Sequence, residues 1–108
     1  MAFKSNASPN IGTSGAPTTV TATVGAGQTQ TLIGLSFANT SASNVTVSAK
    51  LNKNGGSSAF LLKDATILPG GALAIVGGDQ KVVLETGDTI TAYASAANSV
   101  DAVLSYLV

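Results

Sequence analysis

The sequence contains no histidine, cysteine, arginine or tryptophan, and only ten of its 108 residues are charged. Without histidine, no side chain has an ordinary pKa near neutrality, so a Ser-His or Cys-His nucleophile cannot be assembled. Without cysteine there is no thiolate nucleophile, no disulfide and no cysteine-based zinc site. Lysine is the only cation, which removes bidentate guanidinium contacts to phosphate or carboxylate. These absences predict a protein that is not an enzyme and uses no cofactor.

The charge is balanced at zero by five lysines and five acidic residues. A neutral chain lacks the long-range attraction that nucleic acid or an anionic membrane requires, so we expect neither as a partner. The N-terminal sequence MAFKSNASPN has no apolar run typical of a signal peptide, and no segment approaches the roughly 18 apolar residues of a membrane span. We therefore expect synthesis in the cytoplasm. Because few charges keep copies apart, the composition favours a component of an assembly.

Residues 1–17 differ in composition from the rest of the chain. They are rich in Ser, Asn, Gly and Pro, and their bulky apolar anchors are Phe3 and Ile11, too few for a core. We expect an extended N-terminal arm that binds a neighbouring subunit through Phe3 and Ile11, next to a single domain over residues 18–108. Deletion of residues 1–16 should then leave that domain folded. The alternative is an arm folded back on its own domain.

From Thr18 onward, apolar and polar residues alternate with period two, which is typical of half-buried β-strands. Turn residues such as Asn54-Gly55-Gly56 and Pro69-Gly70-Gly71 separate the alternating segments. Within residues 31–37 the alternation places Ile33, Leu35 and Phe37 on one face. The predicted strands cover residues 18–24, 31–37, 45–51, 60–65, 73–76, 81–85, 89–95 and 100–107.

About eight strands at this spacing predict an all-β fold, an antiparallel two-sheet β-sandwich. No apolar stripe with helical spacing survives beyond one turn. The pattern does not distinguish a jelly-roll from an immunoglobulin-like strand order. The threonines at positions 19, 21 and 23 share one face of the first predicted strand, an uncharged surface that another subunit could cover at little desolvation cost. A solvated outer face is the alternative.

Two kinds of binding site deserve comparison with simpler interpretations. Asp79, Glu85 and Asp88 could form a calcium site or a carboxylate pair, but Asp79 and Asp88 each follow glycine, where aspartate commonly stabilises turns. We therefore interpret them as turn residues.

Sugar binding requires exposed rings. Tyr93, which alternates with Ile90, Ala92 and Ala94, is the one ring predicted to lie on the surface, and a single ring offers little platform.

Residues 31–108 carry several short segments that together are similar to a known family. The segments are Leu32-Ile33-Gly34-Leu35-Ser36-Phe37-Ala38-Asn39, Val45-Thr46-Val47, Leu68-Pro69-Gly70-Gly71, Val76-Gly77-Gly78-Asp79-Gln80-Lys81-Val82-Val83-Leu84 and Ser99-Val100-Asp101-Ala102. In these segments the chain resembles small structural proteins of tailed bacteriophages, including phages of cyanobacteria. The turn in residues 84–90 is also similar to one found in trimeric jelly rolls of the tumour-necrosis-factor type.

The phage resemblance implies a virion component without enzymatic activity. We expect a capsid decoration or cement protein that bridges capsomers and stabilises the phage head. Its partners would be the major capsid protein or other virion proteins, and the chain would form a homo-oligomer, with a trimer favoured. The alternative is a structural or host-adhesion module of the tail, neck or baseplate, with sugar binding as one option.

Overall fold

The computed structural model describes residues 2–76 and 81–108. In these residues the chain forms nine β-strands and no helix, which confirms the predicted all-β class. The strands are β1 (Phe3–Ser8), β2 (Thr18–Thr19), β3 (Gln30–Asn39), β4 (Val45–Asn52), β5 (Ser58–Ile67), β6 (Ala72–Val76), β7 (Val82–Leu84), β8 (Thr89–Ala94) and β9 (Val100–Leu107).

The strands pair as one long hairpin folded back on itself. β4 pairs with β5, β3 with β6 and β7, β2 with β8, and β1 with β9, all antiparallel. These nested pairs alternate between a first sheet, with β6 and β7 both on β3 in the order β1-β9-β3-β6, and a second sheet, β2-β8-β4-β5. Two four-strand-wide sheets connected in this way have the jelly-roll order. The antiparallel two-sheet sandwich is therefore confirmed, and the strand order that the sequence left open is a jelly roll.

The core lies between the two sheets, and the predicted period of two is clear in β7, β8 and β9. In β9 every second residue from Val100 to Tyr106 is buried, and in β8 the buried residues are Ile90, Ala92 and Ala94. Phe37 from β3 is the largest side chain that is fully buried. The alternation therefore identified the inward face of these strands correctly.

In β3 the predicted alternation breaks at a β-bulge. The register against β9 shifts between Leu32 and Gly34, so one additional residue lies on β3. Leu32 is buried before the bulge, and Leu35 and Phe37 are buried after it. Ile33, predicted to share the face of Leu35 and Phe37, is only half-buried. This prediction is wrong because an extra residue in a strand moves the following side chains to the other face.

The predicted strand over residues 18–24 is also shorter than expected. β2 ends at Thr19, although Val20 and Val24 still reach the core. Thr21 is only 8% exposed, and its Oγ1 accepts a hydrogen bond from the backbone N–H of Ile90 at 3.2 Å. The prediction that all three threonine hydroxyls face outward is therefore wrong. The Thr21 hydroxyl takes the place of a neighbouring strand as the hydrogen-bond partner of the Ile90 N–H.

Residues 2–17 fold back on their own domain, the alternative that the sequence left open. β1 pairs with β9 along its whole length. Ile11 is fully buried, and its N–H donates a hydrogen bond to the Val100 carbonyl oxygen at 2.9 Å. Phe3, in contrast, is 76% exposed. Because deletion of residues 1–16 would remove one of the two strand neighbours of β9 and empty the Ile11 position, we expect this deletion to destabilise the whole domain.

Candidate functional site

Among the paired and described positions on the outer side of the first sheet, Asp101 is the one charged residue. Residues opposite one another in the register share a face of the sheet. Three of the outer cross-strand rows contain no charged residue, and we call these three rows the neutral face. They are Ala7-Val103-Ser36-Ala74, Ser5-Ser105-Gly34 and Phe3-Leu107-Thr31-Val83. The next row on the same side is Asp101-Ala38-Ala72.

The neutral face carries three of the six large hydrophobic residues that are exposed in the described chain. Phe3 is 76% exposed, Val83 52% and Val103 49%. Among the described positions at its margin, Asp101 is charged, and its Oδ1 already accepts a hydrogen bond from the backbone N–H of Asn10 at 2.9 Å. Apart from the half-buried Leu107, the remaining residues in the rows are small or bear hydroxyl groups. Covering this surface would therefore bury apolar area at little electrostatic cost, as in protein contact sites.

The outer side of the second sheet has different chemistry. On this side Lys50 lies opposite Phe60 in β5. The Lys50 Nζ lies 4.9 Å from the centroid of the Phe60 ring, and the Lys63 Nζ lies 5.0 Å from it. The ring remains 43% exposed. These three side chains, which we call the lysine–phenylalanine cluster, form a cation–π arrangement on the surface.

The sequence singled out a different ring, Tyr93, as the surface aromatic residue. In the structure Tyr93 is half-buried and lies opposite Ser48 of β4. Phe60 is more exposed because β5 is an edge strand of its sheet. The turn sequence Asn54-Gly55-Gly56 indicated that β4 and β5 form a hairpin. It could not show that Lys50 lies opposite Phe60, because that depends on the exact register of the two strands, which includes two irregularities.

Asp88 connects two turns through its buried carboxylate, which is 1% exposed. One oxygen accepts a hydrogen bond from the backbone N–H of Asn54 at 3.0 Å, and the other accepts one from the N–H of Glu85 at 2.9 Å. The second oxygen also pairs with the Lys53 ammonium, which lies 2.9 Å from Glu85 Oε1. Asp88 therefore stabilises its own turn, as predicted, and links it to the β4–β5 hairpin. Asp79 lies outside the described residues.

The electrostatics of this cross-link favour a structural role. The Lys53 ammonium, followed by the N–H groups of Glu85 and Asn54, lowers the pKa of Asp88 from 3.8 to about 2. The same hydrogen bonds from Lys53, to Asp88 first and then to Glu85, raise the pKa of the lysine. Because Asp88 is ionised at neutral pH and its oxygens are occupied, it has no proton to donate there. The Lys53 ammonium also takes the place where a cation held by both carboxylates would lie.

Other features of residues 2–76 and 81–108 offer less chemistry. In this part of the chain no three acidic residues come close enough together to hold a metal ion, and no helix could cross a membrane. A cleft of about 400 Å³ is lined by Lys4, Gln28, Thr29 and Val108. This volume is within the range of small-ligand sites, but the lining offers one cation and no aromatic ring.

No protein-family model, curated protein or solved structure matches this chain. The two outer sheet faces remain the best guides to its function, because one exposes Phe3, Val83 and Val103 in uncharged rows and the other holds two lysines around the Phe60 ring.

Proposed function

We propose that this chain is a non-enzymatic structural protein of a phage particle, a capsid decoration or cement protein that bridges capsomers and stabilises the head. The observation that carries the proposal is the neutral face, with Phe3, Val83 and Val103 exposed in one uncharged surface. A surface of this kind is suited to adhesion between proteins. The sequence resemblance to phage structural proteins is the reason for proposing a phage particle as the assembly.

The jelly-roll order supports this role without establishing it. Viral capsid domains commonly have this fold, but the fold also serves lectins and enzymes, so the surface must carry the argument. The partners would be the major capsid protein or other virion proteins, and the chain itself would form a homo-oligomer, with a trimer expected. Specific contacts bury about 800 Å² per partner, and many moderate contacts over a shell gain strength through multivalency.

The second candidate is a structural or host-adhesion module of the tail, neck or baseplate. The lysine–phenylalanine cluster favours it, because an exposed ring can stack on a sugar while nearby ammonium groups pair with the carboxylates of an acidic glycan. Phe60 is the group that would stack, and Lys50 and Lys63 would supply the positive charge.

Imaging of intact particles tests the first candidate against the second. In a reconstruction of purified particles of the phage that encodes this chain, we expect its density to follow icosahedral symmetry on the head. Density at the tail, neck or baseplate would favour the second candidate. Absence of the chain from purified particles, measured by mass spectrometry, would refute both.

Glycan binding gives an independent test of the second candidate. The purified chain would be applied to an array of neutral and acidic glycans, with the Phe60→Ser variant as a control. Specific retention of the wild type that is lost in the variant would favour adhesion. Equal signals from both proteins would argue against this use of the cluster.

A further inference from the structure

We infer that the neutral face is the surface through which copies of this chain contact one another around a symmetry axis, which leaves the lysine–phenylalanine cluster available to a different partner. This inference rests on the proposed structural role and specifies the occupant of the face, a second copy of the chain.

The charge distribution favours self-contact through this face. In a symmetric oligomer, residues close to the axis lie near their own copies, so a charge there faces a like charge. The three rows of the neutral face contain no charged residue. The opposite face of the sandwich would instead bring Lys50 towards the same lysine of another copy, together with Lys63, whose Nζ lies 3.6 Å from Asp64 Oδ2. The neutral face therefore avoids a repulsion that the cluster would create.

The area of the face sets the strength of the expected contact. Four strands at about 4.8 Å and the five residues that the rows span in β9, at about 3.3 Å each, give a flat area of roughly 320 Å². This is about two fifths of the roughly 800 Å² per partner in a typical stable interface. We therefore expect reversible association that depends on concentration, with each copy gaining stability when it contacts more than one neighbour.

The test measures the mass of the full-length chain by native mass spectrometry and sedimentation velocity, from low micromolar to several hundred micromolar. We expect the wild type to form an oligomer. Val103→Asp introduces a charge at an exposed apolar position of the neutral face and should weaken association about 100-fold or more. Leu68→Asp makes a similar change at a residue that is 63% exposed in the β5–β6 turn, and should leave association unchanged.

Circular dichroism would confirm that each variant is folded. Val103→Ser removes the apolar contact without adding charge, and should also weaken association if Val103→Asp does not fold. A wild type that is monomeric at every concentration would overturn the inference, as would an oligomer that both Val103 variants leave intact. A monomer found on phage particles would refute only this inference, whereas an oligomer absent from particles would refute only the proposed function.

Discussion

Replacement of Ile11 by alanine tests whether the N-terminal segment is part of the core. Ile11 is fully buried and is among the largest of the fully buried side chains. The substitution removes three carbon atoms, worth about 2.4 kcal/mol at ~0.8 kcal/mol for each buried methylene. Incomplete collapse of the resulting cavity adds to this, so we expect the free energy of unfolding to fall by about 3 to 4 kcal/mol.

This loss should be measurable both in urea and by heating. At about 4–8 °C per kcal/mol for a domain of this size, the expected decrease in Tm is roughly 12 to 30 °C. Urea unfolding followed by far-UV circular dichroism should show a lower midpoint with an unchanged slope. The matched control is Phe3→Ala, from the same segment but at a side chain that is 76% exposed, which should change stability by about 0.5 kcal/mol or less.

A different result would refute the structural reasoning. If Ile11→Ala and Phe3→Ala both stayed within about 0.5 kcal/mol of the wild type, Ile11 would not contribute to the core. The segment would then behave as the detachable arm that its composition predicted. Deletion of residues 1–16 would test the same point less specifically, because it removes β1 together with Ile11.

Three further predictions concern the turns and loops at the ends of the sandwich. The contribution of Asp88 to the free energy of unfolding should be fully present above about pH 4 and should be lost as the pH falls towards 2, because its folded pKa of about 2 lies below the ordinary 3.8. Acid unfolding of Asp88→Asn should lack this component. An acid profile identical to that of the wild type would contradict the assignment. Gly87→Ala should destabilise the fold by about 1 kcal/mol or more in urea unfolding, because the left-handed conformation disfavours a side chain; its φ is +82° and a Cβ would lie 2.6 Å from the Asn54 side chain. Gly55→Ala, whose Cβ would meet nothing within 4 Å, is the control, and equal stability of the two variants would count against this reasoning. Asn39→Ala should cost about 2 to 4 kcal/mol, because the 2% exposed residue loses four side-chain hydrogen bonds, and a Tm within about 4 °C of the wild type would argue against that network.

Local features of the fold were predictable because they depend on neighbouring residues. The alternation in residues 100–107 matches β9, and the turn at Leu68-Pro69-Gly70-Gly71 has Gly70 at φ +73° with a hydrogen bond from the Gly71 N–H to the Leu68 carbonyl oxygen at 2.9 Å. Glycine and proline select such turns through their own backbone preferences. The strand that ended early and the bulge in β3 were not predictable in this way, because partners in distant strands determine both.

The candidate surfaces were less accessible to sequence analysis than the fold class. Phe3 and Ile11 were both expected to anchor an arm on a partner, but the structure places Ile11 in the core and Phe3 on an outer face. No local pattern separates these two environments, because both are isolated large apolar residues in a segment rich in small polar residues. The cluster around Phe60 likewise depends on the register of two strands.

The sequence by itself determined the chemistry that this protein lacks and the all-β class, because composition and the period of two are properties of the chain alone. Only the tertiary structure decided which strands share a sheet, where the N-terminal segment lies and how the neutral face is assembled. The physical reason is that alternation defines the two faces of each strand but not its neighbours. Phe3 and Leu107 meet on one surface because β1 pairs with β9 across nearly the whole length of the chain.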